Sequence, residues 1–175
     1  MAVPAPTPRL VFREFTEADL PALAALLADP EVMRYSWGGP LDRTTSAVVL
    51  RQFQSHCRVH GFGKWALALR TTGEFAGYCG VEPCPSAGPS GYELAYRLPP
   101  HLWGQGLAAE AAAAAVRHLF AHTALTEIFA FVDPANVASV RVLATAGFRR
   151  IQEAAVLNGK TLDIHRCDRA ADAPK

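Results

Sequence analysis

The chain has little of what marks several large classes of protein. Its 175 residues include only four cysteines, and none of them form a Cys-x-x-Cys pair, so reduced and buried thiols are expected rather than a disulfide framework. The formal net charge is only +1, which provides no basic surface for a nucleic acid. No apolar run approaches the roughly 20 residues that span a bilayer, and the N-terminus lacks the basic start and apolar stretch of a secretory signal. We therefore expect a cytoplasmic protein with no nucleic-acid or membrane partner.

What is present is typical of one globular domain. Half of the residues are apolar and 19% are charged, and the length allows a sizeable core. No internal repeat and no interdomain linker interrupts the chain. The sequence predicts a flexible lead-in over residues 1–8, a single domain over residues 9–168 and a tail over residues 169–175.

Hydrophobic periodicity predicts elements in the order β-α-α-β-β-β-α-β-α-β-β. The second helix is expected to start at Thr44 or Thr45. The continuous apolar run Glu127–Asp133 is typical of a strand buried on both faces, and the helix before it forces one parallel strand pair. The other neighbours are hairpins, one of them across Asn158-Gly159, so the fold class is α+β, with a mixed, mostly antiparallel sheet and helices on both faces.

The centre of the chain carries a glycine turn that opens an alanine-rich helix. From Tyr92 to Ala115 the sequence reads as a strand, a Pro-Pro break, the turn Gly104-Gln105-Gly106 and then the helix. This order presents free backbone N–H groups at a helix N-terminus, and the two glycines leave room for a ligand. Such a turn suits a phosphate or pyrophosphate.

Other interpretations of this turn are weaker. Gly104 to Ala109 fits the loose G-x-G-x-x-G/A pattern of dinucleotide-binding folds, but in those folds the glycines follow the strand at once and the unit opens the domain. Here Pro99 to Trp103 intervene, and the unit begins halfway along the chain. No Gly-Lys-Ser/Thr follows, so the turn is not a P-loop. An ordinary glycine turn before a helix is the structural alternative.

Several segments together resemble the GNAT acetyltransferases, which transfer an acetyl group from acetyl-CoA to an amine. WGQGLAAEA is followed, beyond the next strand, by NVASVRVLATAGF. Within that family the chain resembles the branch that includes the ribosomal-protein N-terminal alanine and serine acetyltransferases. RLVFREFTEADLPALAALLADPEVMRY, YELAYRLPPHLWGQG and NGKTLDIHRC extend the resemblance over about residues 9–168. It implies the GNAT fold, with acetyl-CoA as a co-substrate.

The resemblance also implies where the cofactor binds. The family's turn, Gln/Arg-x-x-Gly-x-Gly/Ala, falls on Trp103 to Ala108, and Trp103 departs from the Gln/Arg position. The strand Leu94–Leu98 is expected to splay from Glu127–Asp133, so that pantetheine pairs with its backbone. The cofactor-binding residues are then those of the strand end, the turn, the helix start and the following Asn-x-x-Ser: Tyr96, Arg97, Leu98, Trp103, Gly104, Gln105, Gly106, Leu107, Ala108, Ala109, Asn136 and Ser139.

Acetyl transfer needs a base, a donor to the oxyanion and an acid for the leaving thiolate. Glu93 matches the family's strand glutamate and is the first candidate for base or amine-orienting residue. Glu82 is the second candidate, and its structural alternative is a solvated loop residue before Pro83. A backbone N–H within Tyr96–Leu98 is expected to hold the oxyanion. Many members carry a tyrosine on the helix after Glu127–Asp133 as the acid, and because this helix has none, Ser139 is the candidate.

The acceptor side rests on fewer residues. Tyr35 and Trp37 lie in a Gly-Pro loop that the resemblance places beside the acceptor pocket, with a plug in the core as the alternative. With Glu82 and Glu93 they form the predicted substrate-binding set. No metal is expected, because the histidine pairs His56/His60 and His118/His122 lack a third ligand nearby in sequence.

The function predicted is that of an N-acetyltransferase. An N-terminal α-amine of a protein or peptide is the favoured acceptor, since its pKa of roughly 7.7–8.0, against roughly 10.4 for lysine, demands only a modest base. A small-molecule amine, such as an antibiotic, a polyamine or an amino-acid derivative, is the alternative within the same class. A module that binds acetyl-CoA without catalysis is the alternative from another class. A homodimer is left open.

Overall fold

The computed structural model describes residues 3–85, 91–157 and 159–170. Asn158 of the expected hairpin turn, residues 86–90 of the Pro/Gly-rich loop and residues 171–175 of the tail lie outside the described residues. The elements follow the expected order. The strands are Leu10–Arg13 (β1), Lys64–Leu69 (β2), Phe75–Pro83 (β3), Tyr92–Arg97 (β4), Glu127–Val132 (β5), Arg149–Leu157 (β6) and Lys160–Asp168 (β7), and the helices are Leu20–Ala28 (α1), Arg43–His60 (α2), Leu107–His122 (α3) and Val137–Thr145 (α4).

The strands form one sheet in the order β1-β2-β3-β4-β5-β7-β6. Every neighbouring pair is antiparallel except β4 and β5, which confirms the mixed α+β class and the single parallel crossover. Only Glu93 and Phe129 are Cα partners in that parallel pair, whereas β3 and β4 pair from Tyr78–Arg97 to Pro83–Tyr92. The sheet therefore opens beside the C-terminal part of β4.

Helices cover the sheet on two faces, each with its own core. Leu94 packs with α3 and α4 residues such as Leu119 and Leu143, and this side is called the α3/α4 face. Tyr78 packs with Leu23 and other residues of α1 and α2, and this side is called the α1/α2 face. Because side chains alternate along a strand, consecutive residues of β4 address opposite faces.

Alanine gives α3 a narrow profile against the sheet. Ala111, Ala112 and Ala115 are completely buried, and Glu110 and His122 lie in its first and last turns. Small side chains let a helix approach the strands closely, and alanine also has the highest helix propensity. The N-terminus of α3 is thereby held near the opening between β4 and β5.

Two local predictions are wrong. The second helix starts at Arg43, because Asp42 is its N-cap and its carboxylate accepts a hydrogen bond from the Thr45 N–H at 2.7 Å. Strand β5 is not buried on both faces, since its burial alternates and Phe129 and Phe131 are partly exposed. The reason is that α1 and α2 pack against β3 and β2, which leaves the α1/α2 face of β5 partly open.

The described part of the expected lead-in, residues 3–8, packs against the domain. Pro4 is completely buried, and Val3 packs against the core of the α3/α4 face. The Thr7 N–H donates to the Leu10 carbonyl at 2.9 Å, and the Leu10 N–H donates to Thr7 Oγ1 at 3.0 Å. In the part of the chain that the structure describes, no helix is long and apolar enough to cross a membrane.

Candidate active site

The glycine turn presents a row of unpaired amides. Gly104 and Gly106 have φ angles of +72° and +75°, in the left-handed region that favours glycine, and a Cβ at Gly104 would meet nothing within 4 Å. Among the described residues, the N–H groups from Gly104 to Ala109 have no protein acceptor, and the next amide, that of Glu110, donates to the Gly106 carbonyl at 3.1 Å. This row lies at the N-terminus of α3, which has the geometry of an anion site.

Arg9 holds the turn in place through hydrogen bonds to residues on both sides of Gly106, and the sequence analysis missed this residue. Its Nη1 donates to the Gln105 carbonyl at 2.6 Å, and its Nε and its backbone N–H bind the Glu110 carboxylate at 2.6 and 2.9 Å. These three bonds connect β1 to both sides of Gly106. The Glu110 pKa is lowered, since hydrogen bonds from Thr7 and Arg9 and the charge of Arg9 outweigh its burial. Nothing local in RLVFREF signals this contact, because its partners lie about a hundred residues away.

Trp103 connects the turn to the end of β4. Its indole N–H donates to the Leu98 carbonyl at 2.7 Å, while 43% of the residue stays exposed. The Gln105 side chain donates to the His101 carbonyl at 2.9 Å. Trp103, at the family's Gln/Arg position, therefore connects the end of the strand to the turn. Its side chain leaves the backbone amides of the turn free for a ligand.

On the α3/α4 face, the opening beside β4 contains a hydroxyl pair. The Tyr96 hydroxyl lies 2.7 Å from Ser139 Oγ, and the Asn136 carboxamide oxygen accepts from the Ser139 N–H at 3.1 Å as the N-cap of α4. Burial raises the pKa of Tyr96, so its phenol keeps its proton at neutral pH. Helix α4 has no tyrosine, but Tyr96 of β4 brings a phenol next to Ser139 at the start of α4.

Glu93 lies at the point where β4 and β5 last touch. It is half-buried, and its side chain addresses the α1/α2 face, opposite to its neighbour Leu94. Burial and, after it, the adjacent Glu82 carboxylate raise its pKa to about 7, against the charges of Lys64 and Arg97. A carboxylate of this proton affinity matches a general base near neutral pH.

Glu82 lies within β3, so the alternative of a solvated loop residue is wrong. Its Cα is the direct partner of the Glu93 Cα, which places both carboxylates on the same face. The Glu82 side chain is 46% exposed, and its Oε1 lies 2.5 Å from the Lys64 ammonium. The sequence analysis missed Lys64, although a lysine at the start of the apolar run WALAL is a signal that could have found it.

A loop from Met33 to Asp42 covers this face. Arg97 donates from Nη2 to Ser36 Oγ at 2.6 Å and from Nη1 to the Tyr78 hydroxyl. Lys160 donates to the Ser36 carbonyl at 2.7 Å. Arg97 of β4 and Lys160 of β7 thus hold the loop against the sheet through their side chains.

The two predicted aromatic residues of the loop differ in position. Trp37 is 51% exposed, so it does not plug the core, and the Lys160 ammonium lies 5.4 Å from its ring centroid. The Tyr35 hydroxyl donates to the Ala135 carbonyl at 3.3 Å. This last bond connects the loop to the residue just before the Asn136 N-cap, so both sides of the opening are tied together.

The histidine pairs are stacked rather than arranged around a metal. His56 and His60 have ring centroids 4.3 Å apart, and those of His118 and His122 are 4.4 Å apart. Within residues 3–85, 91–157 and 159–170, no three His, Cys, Asp or Glu side chains are grouped as metal ligands.

The opening of the sheet next to a helix N-terminus with free amides suits a ligand that carries a phosphate or pyrophosphate group. The family model that describes an acetyltransferase (GNAT) domain matches residues 9–149. The chain belongs to the GNAT acetyltransferase family, which confirms the resemblance to that family and the enzyme class.

Known proteins agree with this assignment. The uncharacterized protein YkkB of Bacillus subtilis is 32% identical over 142 residues, which cover 81% of this chain and 82% of that protein. The FsC-acetyl coenzyme A-N(2)-transacetylase of Aspergillus fumigatus is 32% identical over 71% of this chain and 55% of its own length. The crystal structure of an acetyltransferase from Agrobacterium tumefaciens has a TM-score of 0.80 at 27% identity, covering 95% of this chain and 94% of that one.

Proposed function

We propose that the protein transfers an acetyl group from acetyl-CoA directly to the N-terminal α-amine of a peptide or protein. The observation that carries this proposal is the position of Glu93 at the root of the opening between β4 and β5, with the Tyr96–Ser139 pair on the opposite face. A cytoplasmic location and a homodimer stay predictions.

The donor half of the site rests on backbone groups. The amides from Gly104 to Ala109 would bind the pyrophosphate of CoA, with Arg9 and Trp103 holding the turn in place. Pantetheine would extend through the opening and pair with the free edge of β4, as an added strand does. A backbone N–H within Tyr96–Leu98 would then face the developing oxyanion.

The acceptor half rests on Glu93. As the amine nitrogen attacks the thioester carbon, the amine proton passes to the Glu93 carboxylate, directly or through one water. A base with a pKa of about 7 is close to the roughly 7.7–8.0 of an α-amine and far from the roughly 10.4 of a lysine. This match favours an α-amine over a lysine side chain.

The leaving thiolate of CoA needs a proton donor, and the candidate lies on the α3/α4 face, opposite to Glu93. When the carbon–sulfur bond breaks, Ser139 Oγ would donate its proton to the thiolate, the Tyr96 hydroxyl at 2.7 Å would pass its own proton to Ser139, and solvent water would return a proton to Tyr96. Because the two hydroxyls share one hydrogen bond, Tyr96 orients Ser139 even where it donates nothing itself.

A small-molecule amine is the second candidate acceptor. The Aspergillus relative is named FsC-acetyl coenzyme A-N(2)-transacetylase, and this name does not point to a protein N-terminus as the acceptor. The neighbouring Glu82 and Glu93 carboxylates would also attract a cationic small molecule to the α1/α2 face.

A panel of acceptors tests the proposal. Steady-state release of CoA thiol is measured with N-terminal peptides of varied first residue, the same peptides with a blocked α-amine, and small amines including polyamines and aminoglycosides. We expect turnover with free α-amines and none with the blocked forms. Turnover confined to small amines would favour the second candidate, and tight acetyl-CoA binding without any turnover would favour a binding module.

A further inference from the structure

Lys64 is a buried cation next to the proposed base. Its side chain is 4% exposed, and its ammonium lies 2.5 Å from Glu82 Oε1. The ammonium also lies 4.8 Å from the ring centroid of Phe53 and 5.5 Å from that of Tyr78. An ammonium that leaves water at such a site loses hydration, which only a close anion and aromatic faces offset.

The anion that compensates Lys64 is also the cross-strand neighbour of Glu93. Glu82 and Glu93 are direct Cα partners of antiparallel strands, so their Cβ atoms lie about 4.5–5.5 Å apart on one face. Two carboxylates at this separation compete for one proton, and an additional charge decides which of them keeps it. Lys64 contacts only one member of the pair, Glu82.

The other charges that face this pair do not replace Lys64. Arg97, on β4, uses both of its terminal nitrogens for Tyr78 and Ser36. Cys84, which follows β3, forms a hydrogen bond with the Glu93 side chain. On α2, burial lowers the pKa of His56, which is therefore neutral near pH 7. On β5, the strand partner of Glu93 is Phe129, which does not titrate.

We propose that Lys64 is a positioning residue of the acceptor site, which binds the Glu82 carboxylate and so limits the negative charge that Glu82 exerts on Glu93. The inference rests on the proposed function for its meaning in catalysis. The effect of Lys64 on the titration of Glu93 is a property of the folded protein, and it can be measured without any acceptor.

The test is a carboxyl titration of the full chain by NMR. The protein is labelled with ¹³C at glutamate carboxyl carbons, the two signals are assigned with Glu93→Gln and Glu82→Gln, and both are followed from pH 4 to pH 9. We expect Lys64→Met to raise the titration midpoint of Glu93 by about one pH unit or more, because the Glu82 charge beside it is then uncompensated. In Lys64→Met/Glu82→Gln the Glu93 midpoint should fall back, because the neighbouring charge is gone.

Lys160→Met is the matched control, since its ammonium contacts the Ser36 carbonyl and no carboxylate, and its Glu93 midpoint should equal that of the unchanged protein. Should Lys64→Met not fold, Glu82→Gln alone carries the test and should lower the Glu93 midpoint. Unchanged Glu93 midpoints in Lys64→Met or in Glu82→Gln would overturn the inference. Absence of acetyl transfer with any amine would instead overturn the proposed function and leave the titration result standing.

Discussion

The two faces of the opening bind by different means. On the α3/α4 face the proposed contacts to the pyrophosphate are backbone amides from one continuous segment, Gly104 to Ala109, held in place by Arg9. On the α1/α2 face they are side-chain charges, with Lys64, Glu82 and Glu93 supplied by three different strands.

This difference predicts how strongly each half of the site depends on individual side chains. Amides at a helix N-terminus bind a phosphate through geometry that any side chain pointing away leaves intact, so the donor half tolerates departures such as Trp103. The protonation of a half-buried ionisable side chain depends on the charges around it. Single substitutions should therefore affect the acceptor half. Four substitutions test this contrast.

Glu93→Gln should have the largest effect, and only on the acceptor side. Without the base, kcat/KM should fall roughly 10²–10⁴-fold, while the Kd of acetyl-CoA stays the same. The unchanged enzyme should gain activity as the pH rises through about 7, because Glu93 must lose its proton to act, and this part of the profile should vanish in the variant. A variant of normal turnover would remove Glu93 from the mechanism.

Ser139→Ala should come next. Loss of the proton donor to the thiolate should lower kcat roughly 10–100-fold, with little change in acetyl-CoA binding, because hydrogen bonds to charged groups contribute about 1.5–3 kcal/mol. Tyr96→Phe keeps Ser139 but removes its partner at 2.7 Å, so a smaller loss is expected there. Unchanged kcat in Ser139→Ala, measured by thiol release and by single turnover, would contradict the assignment.

Gly104→Ala should weaken the donor side alone. A Cβ there meets no protein atom within 4 Å, so it projects into the space that the pyrophosphate would use, and the Kd of CoA should rise roughly tenfold. Gly73→Ala is the matched control, since Gly73 also has a positive φ, of +75°, and an open Cβ position, in the β2–β3 turn. Equal CoA affinity of both variants by calorimetry would argue against a phosphate site.

Arg9→Gln should give the smallest effect. The guanidinium is 48% exposed, and such pairs contribute about 0.2–1 kcal/mol, so the Kd of CoA should rise no more than about fivefold. Arg149→Gln breaks an exposed pair with Asp168 far from the turn and is the control. If both variants bind CoA like the unchanged protein, the turn keeps its shape without a brace.

The donor half could be predicted from the sequence because its information is local. The glycine turn, the helix start and the Asn136-x-x-Ser139 spacing each lie within a few residues, and turn and cap preferences are short-range effects. The order of elements and the parallel crossover followed from periodicity for the same reason.

The acceptor half depended on contacts that no local pattern carries. The ion pair of Lys64 with Glu82 requires the register of β2 and β3, and the Arg9 bonds join residues about a hundred positions apart. The partial exposure of Phe129 depends on where α1 and α2 pack, so an apolar strand looked more buried than it is. The Tyr96–Ser139 pair needed the approach of α4 to β4, although both residues had been singled out.

The one pair between β4 and β5 also acts as a pivot. When two strands touch at a single point, a rotation moves each residue in proportion to its distance from that point. Glu93 lies at the pivot, and Arg97 lies about 13 Å further along β4 at the usual rise per residue. A change in the width of the far end would therefore leave the carboxylate in register with Phe129, so the proposed proton acceptor lies where the opening would move least.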